Sequence, residues 1–287
     1  MGFEEHLSLL EGEIGNFLPD IERSDSATVG QEWATVAAKV VSLAKQLYLV
    51  DSDILSYKRL LVLNVDAKIL LLKRLCNVPS DRFRCSGLYE TVLEAMSLGL
   101  WDKATEIARL SNAEFVPAVE HITDFQYARL LGHICSINRG VDESISVSDV
   151  NMQERLLQDC LLQENSIFKS QVLFIQAVLG GDVNEVNRQF LSIIQQRVAN
   201  NGTCERVALM RECDSAKGDV DAESALVYDL DDVEGMIDIE LIALAALARH
   251  YNISLPFEDY DYCPLDLQIL SSSPDSASSV KQPGKGL

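Results

Sequence analysis

The sequence predicts an all-α protein: a single irregular multi-helical domain of about ten helices, paired as antiparallel hairpins. Along most of the 287 residues, apolar side chains recur at spacings of three and four, the period of one helix face. The apolar–polar alternation that indicates a strand is confined to short pieces such as "SISVSDV" and "ALVYDL". Turn and capping residues separate the helical segments by short intervals, so consecutive helices are expected to pack as neighbours.

Helix caps and breaks divide the first half of the chain. Asp53 is expected to cap the third helix, and Lys68 lies towards the carboxyl end of that helix, where a positive charge suits the dipole. Gly99 breaks "SLGLWDK" into a helical hairpin, whose second helix restarts at Trp101. The helices predicted here cover residues 3–17, 27–51, 53–75, 86–98, 101–115 and 122–138.

The second half begins with the stretch "GVDESISVSDVN", which is predicted to be a polar linker. Gly180 and Gly181 are expected to end a helix, and Asp182 is expected to cap the next. The helices predicted here cover residues 152–164, 166–179, 182–200, 203–211 and 237–253.

One domain is expected over residues 1–270, with a division into lobes 1–140 and 150–270 at the linker. Residues 271–287, "SSSPDSASSVKQPGKGL", have the Ser, Pro and Gly content of a disordered tail.

The net charge of the chain favours some classes of binding partner and disfavours others. Asp and Glu number 44 against 24 Lys and Arg, a formal net charge of −20. Because phosphate binding depends on Lys and Arg, this balance argues against nucleic acid and against an anionic membrane as partners. It favours a basic protein partner, whose approach the negative field would accelerate. Solubility alone is the plainer explanation of the same charge.

The cysteines and the N-terminus predict a cytoplasmic protein. The seven cysteines are odd in number and contain no C-x-x-C pair, which is typical of reduced, buried thiols in a reducing compartment. The N-terminal stretch "MGFEEHLSLLEGEIGNFLPD" is acidic where a signal peptide would be basic. No apolar run reaches the roughly 18 residues of a membrane span.

No motif for catalysis, for a cofactor or for a metal is present, so the sequence predicts neither an enzyme nor a cofactor. G-x-S-x-G and H-E-x-x-H do not occur. The stretch "LGGDVNE" lacks the lysine of a P-loop and is expected to be a helix end followed by a cap. The stretch "DLDDVEG" does not have the ligand spacing of a calcium loop.

An acidic segment before the last apolar helix is the strongest candidate for a binding surface. It contains eleven acidic residues between Glu212 and Glu240, opposed only by Lys217. A solvated loop is the plainer interpretation. Apolar residues make the segment amphipathic, however, and its attachment to helices at both ends lowers the entropy lost when a partner docks. The predicted partner-binding residues are Asp229, Asp231, Asp232, Glu234 and Tyr228, together with Asp259, Tyr260, Asp261 and Tyr262, where the tyrosines would serve as hydrophobic anchors.

Three stretches resemble the bacterial polymorphic-toxin immunity family called immunity protein 49. They are "SLGLWDKATEIARL", "GGDVNEVNRQFLSIIQQ" and "IDIELIALAALARHYNISLPFEDYDYCPLDLQIL", in this order within residues 98–270. Members of that family have a late apolar helix, a turn and a short "Y-x-P-x-x-L" ending. Here the turn is "YNISL", with Asn252 at the position where Gly is expected.

The resemblance implies a protein that binds a cognate toxin domain and blocks its active site. An acidic surface could fill a basic active-site cleft, so the charge and the resemblance favour the same function. Two alternatives remain open. One is a helical scaffold or adaptor that binds peptides or partner proteins. The other is an enzyme with an unrecognised helical active site.

Overall fold

The computed structural model describes residues 12, 26–77, 81–85, 89–137, 147–162, 167–201, 237–256, 260 and 262–268. These residues form ten α-helices and one 3-10 turn, and no strand occurs among them. The predicted all-α fold is confirmed. The helices are α1 Ser26–Asp51, α2 Ile54–Arg74, α3 Glu90–Ser97, α4 Trp101–Leu110, α5 Ile122–Ile137, α6 Val147–Leu161, α7 Lys169–Gly180, α8 Val183–Asn201, α9 Ile239–His250 and α10 Leu265–Gln268, with the 3-10 turn at Arg82–Arg84.

Several helix boundaries lie at the predicted residues. Oδ1 of Asp53 accepts a 3.0 Å hydrogen bond from the backbone N–H of Ser56 in the first turn of α2. Gly99 separates α3 from α4 with a left-handed φ of 71°. Gly181 ends α7 with a φ of 69°, and Asp182 then caps α8.

The turn after α9 contains the residue that departs from the family resemblance. Asn252 has a φ of 57°, which is the left-handed region. Asn tolerates this conformation better than most residues with a side chain, so the turn that Gly would form is made here by Asn.

The structure differs from the sequence prediction at two helix boundaries. The helix predicted over 101–115 ends at Leu110, because the backbone is extended at Ser111. Val147–Asn151, predicted to belong to the linker, form the first turns of α6, where Asp149 suits the positive end of the helix dipole. Lys68, towards the carboxyl end of α2, is fully buried. Its Nζ donates a 3.0 Å hydrogen bond to the carbonyl oxygen of Phe83 and lies 4.3 Å from the ring centroid of Trp33.

Three other predicted segments lie outside the described residues. They are the helix at 3–17, apart from Gly12, the helix at 203–211 and the tail at 271–287.

Helices that are consecutive in the chain pack against each other, as α1 does with α2, α4 with α5 and α7 with α8. One large cluster of buried side chains includes residues from α1 to α10. At its centre lies α9, where every residue from Leu241 to Ala248 is at most 1% exposed. It packs mainly against α3 and also against α7 and α10. Among the helices that the structure describes, none has the length and apolar character needed to cross a membrane.

Candidate functional site

Seven of the nine predicted partner-binding residues lie outside the described residues. They are Tyr228, Asp229, Asp231, Asp232, Glu234, Asp259 and Asp261. The other two are tyrosines of the C-terminal turn. Tyr260 is half-buried, and its hydroxyl donates a 2.7 Å hydrogen bond to the carbonyl oxygen of Pro256. Tyr262 is only 3% exposed, so its ring packs in the core and not on the surface where an anchor for a partner was expected.

The C-terminal turn contacts the start of α9. The backbone N–H of Asp238 donates a 2.9 Å hydrogen bond to the carbonyl oxygen of Tyr262. The end of the acidic segment 212–240 and the turn around Tyr260 and Tyr262 are therefore adjacent in the fold, although Asp238 and Tyr262 are 24 residues apart in the sequence.

A charged cavity of about 290 Å³ opens beside this contact, between α1, α3, α8 and the start of α9. We call it the acidic cavity, because the described residues that line it include four with carboxyl groups and two with basic side chains. The charged lining residues are Glu90, Glu94, Asp238, Glu240, Lys45 and Arg197.

Arg197 of α8 binds both carboxylates at the start of α9. Its Nε lies 2.7 Å from Oδ2 of Asp238, and one of its terminal nitrogens lies 2.6 Å from Oε2 of Glu240. Burial alone would lower the pKa of Arg197, but the two carboxylates outweigh it and raise this pKa. This cation and the N-terminal dipole of α9 both stabilise negative charge at the same point.

Glu240 is held by side chains from three helices. Besides Arg197 of α8, the hydroxyl of Tyr127 in α5 donates to its Oε1 over 2.8 Å, and Nε2 of Gln171 in α7 donates to its Oε2 over 3.1 Å. Burial is the main influence on Glu240 and raises its pKa, and these three donors act against the rise. Because three donors occupy its two carboxylate oxygens, the main role of Glu240 is structural.

Glu94 of α3 is held closer to its neutral, protonated form. It is 4% exposed, and its Oε2 accepts a 2.7 Å hydrogen bond from Nδ2 of Asn64 in α2. Burial raises the pKa of Glu94 to about 8, while Asn64 and the charge of Lys45 act in the opposite direction. Burial also raises the pKa of Glu90, one helical turn earlier.

The cavity suits two kinds of chemistry. Its surplus of carboxyl groups could receive a positively charged side chain of a partner. A protonated Glu94 could also donate a proton. Within the described ranges, no three His, Cys, Asp or Glu side chains are grouped so that they could hold a metal ion.

Sequence reasoning identified neither Glu94 nor Arg197 as a site residue. A signal for Glu94 was present, because it stands in "ETVLEAMS" among apolar residues that are all buried in α3. A carboxyl group in such a position must be neutralised or paired. For Arg197 the helical period gives no comparable signal, since its partners Asp238 and Glu240 lie more than 40 residues later in the chain.

Comparison with protein-family models, with curated proteins and with solved structures gives no match to this chain. The similarity to immunity protein 49 therefore stays a prediction.

Proposed function

We propose that this chain is an immunity protein, which binds a cognate bacterial toxin domain and neutralises it by covering the toxin's active site with an acidic surface. The observation that carries the proposal is the surplus of carboxyl groups where the chain enters α9. Four carboxyl groups and two basic side chains line the acidic cavity there. The adjoining segment 212–240 adds a further nine acids to Asp238 and Glu240.

The partner implied is a domain with a basic cleft. Opposite potentials across an interface accelerate association and select the correct partner. A Lys or Arg of the toxin that enters the acidic cavity would meet Glu90 first, because Asp238 and Glu240 already bind Arg197 and burial favours the protonated form of Glu94. The rigid anchor for this surface is α9, whose buried residues lose little freedom on binding.

The proposal includes a cytoplasmic location, where an immunity protein meets a toxin made by the same cell. Among the described cysteines none forms a disulfide. Four of these five, Cys85, Cys135, Cys160 and Cys263, are buried. Reduced, buried thiols agree with a reducing compartment.

Affinity capture from the native host tests the function. The tagged protein is used as bait at low salt, and the same bait at high salt is the control, since an electrostatic complex weakens as charges are screened. The expected result is one stoichiometric partner that is toxic when expressed alone and harmless when expressed with this chain. Many weak partners would instead favour the helical scaffold, and a captured domain without toxicity would contradict immunity.

An enzyme is the second candidate, and Glu94 is the observation that favours it. A buried carboxyl group that lines a cavity and has a pKa raised to about 8 has the character of a general acid. A screen of hydrolase substrates with the native protein and with Glu94→Gln separates the two functions. Turnover that disappears in the variant, while the variant still folds, would overturn the immunity proposal.

A further inference from the structure

A second cavity lies in a different part of the molecule, between α4, α5 and α6. Its volume is about 410 Å³, and none of its lining residues belongs to the acidic cavity. We call it the basic groove, because Arg109, Arg129 and His133 line it and no acidic residue does so among the described residues.

The walls of the basic groove are mainly apolar. They are formed by Val92, Ala108, Ala128, Gly132, Met152 and Leu156. A Cβ atom on Gly132 would lie 2.7 Å from the Cβ of Ala108, so α4 and α5 approach closely at this point and the small residues leave space beside them. Met152 forms one edge of the groove and is 42% exposed, so its side chain is available to cover a ligand.

The two arginines of the groove have no carboxylate partner within the part of the chain that the structure describes. A terminal nitrogen of Arg129 donates to the carbonyl oxygen of Ala113 over 3.2 Å, which leaves most of its donors unused. Elsewhere in the fold Arg155, Arg188 and Arg197 each have an acidic neighbour, whereas Arg84 binds backbone carbonyl oxygens. In a chain with 44 acidic and 24 basic residues, two arginines that face one cavity without an acid are unexpected.

Helix electrostatics account for only part of this arrangement. Arg109 lies in the last turn of α4, where a positive charge suits the helix dipole. That explanation does not apply to Arg129, which lies in the middle of α5 and lines the same cavity. His133 follows one turn later on α5, with its Nε2 3.1 Å from the backbone oxygen of Asp149.

We propose that the basic groove binds an apolar small molecule that carries a carboxylate. The guanidinium groups of Arg109 and Arg129 would bind the carboxylate, because the planar fork of Arg matches two carboxylate oxygens. The apolar walls would cover the rest of the ligand and remove its surface from water. This inference does not depend on the immunity proposal.

The volume sets the size of the ligand. A dry cavity of roughly 150 Å³ holds one benzene molecule, which has six carbon atoms. At the same cavity volume per atom, the 410 Å³ of the groove has room for roughly 16 non-hydrogen atoms. A decanoate ion, with ten carbons and two oxygens, fits this limit, whereas a docked peptide helix would need a longer surface.

Titration calorimetry of the full chain with decanoate is the direct experiment. Decan-1-ol and decyltrimethylammonium are the matched probes, because they keep the chain length and remove or reverse the charge. The expected result is saturable binding of one decanoate per protein and binding of the alcohol weaker by at least about tenfold. Equal binding of decanoate and the alcohol, or no binding of decanoate, would overturn the proposal.

Two variants locate the ligand in the groove. Arg109→Gln combined with Arg129→Gln is expected to weaken decanoate binding by at least about tenfold, and Arg188→Gln on α8 is the control, expected to leave the affinity within about twofold. Ser136→Trp is expected to fill the groove and abolish binding from an exposed position that tolerates substitution. Unchanged decanoate affinity in both groove variants would overturn the proposal. A second outcome would also overturn the proposal: decanoate does not bind, and the arginine variant no longer binds the protein partner found by affinity capture. The groove would then be a protein-docking surface.

Discussion

The hydroxyl of Tyr127 donates a 2.8 Å hydrogen bond to Oε1 of Glu240, although the two residues are 113 positions apart. Tyr127 is fully buried, and its ring stacks on that of Phe168 with centroids 4.3 Å apart. The contact joins α5 to α9, and Glu240 extends it to Arg197 of α8. The start of α9 is therefore fixed by side chains rather than by backbone contacts alone.

Replacing Tyr127 by Phe is expected to lower the free energy of unfolding by about 1–3 kcal/mol, because the buried carboxyl group of Glu240 loses a donor. Urea unfolding at neutral pH measures the change. Tyr89→Phe is the matched control, since its ring belongs to the same aromatic cluster but its hydroxyl has no hydrogen bond among the described residues. Equal losses in the two variants would show that the Tyr127 hydroxyl contributes nothing specific.

Replacing Glu94 by Gln is expected to reduce the pH dependence of stability between pH 4.5 and 8. Burial raises the pKa of Glu94 from 4.5 to about 8, so the native state keeps a proton that the unfolded chain has released. The stabilisation from this group is fully present below pH 4.5 and is lost as the pH rises through 8. Urea midpoints at pH 5 and pH 8 measure the effect.

The control for Glu94 is Glu114→Gln, which makes the same chemical change at an exposed position. It is expected to keep the full difference between the two urea midpoints. A Glu94→Gln variant that keeps the same difference would show that Glu94 titrates normally.

The free energy of unfolding is expected to rise between pH 8 and 10.5, and replacing Lys68 by Met is expected to reduce this rise. Burial lowers the pKa of Lys68 from 10.5 to about 8, so in this window the unfolded chain binds a proton that the native state has released. The stabilisation from this group is present above pH 10.5 and is lost as the pH falls through 8. Unfolding midpoints at pH 8 and pH 10 measure the rise, with Lys73→Met, half-exposed on the same helix, as the control.

Replacing Gly181 by Ala is expected to destabilise the protein by about 1 kcal/mol, because its φ of 69° is left-handed and a Cβ is unfavourable there. Gly180→Ala is the control. A Cβ meets nothing within 4 Å at either position, so the comparison isolates the backbone conformation. A thermal midpoint for Gly181→Ala at or above that for Gly180→Ala would contradict the assignment of a left-handed cap.

Neutralising the acidic segment is expected to slow association with the captured partner. Asp229, Asp231, Asp232 and Glu234 are replaced together by Asn or Gln, and association rates are measured at several salt concentrations. The expected result is a slower rate at low salt with a smaller salt dependence. Glu32, Asp102, Glu114 and Glu154, which are exposed and distributed over other parts of the fold, receive the same changes as a control. An unaltered rate at low salt would show that the segment is not the binding surface.

The helices could be predicted because their signals are local. The break at Gly99 and the caps at Asp53 and Asp182 depend on residues within one or two turns, and each lies where it was predicted. Val147 was assigned to the linker because Ser and Asp around it are typical of loops, but the same residues are also favourable in the first turn of a helix.

The candidate site could be predicted only in part, because its contacts are distant in the sequence. The acidic character near Asp238 and Glu240 is visible in the composition. Their pairing with Arg197 depends on how α8 packs against α9. The burial of Tyr262 could not be predicted either, since a tyrosine among acids suggests an exposed anchor, whereas packing beside α9 buries its ring.

The central position of α9 also has a consequence for hydrogen exchange. No face of this helix from Leu241 to Ala248 is open to solvent, so its amide hydrogens can exchange only when the surrounding helices separate. These amides should be the slowest to exchange among the described helices, and their rate should report the free energy of global unfolding. A ligand or partner that stabilises the native state lowers the population of unfolded molecules. It would then slow exchange of the α9 amides by that same factor, wherever on the surface it binds.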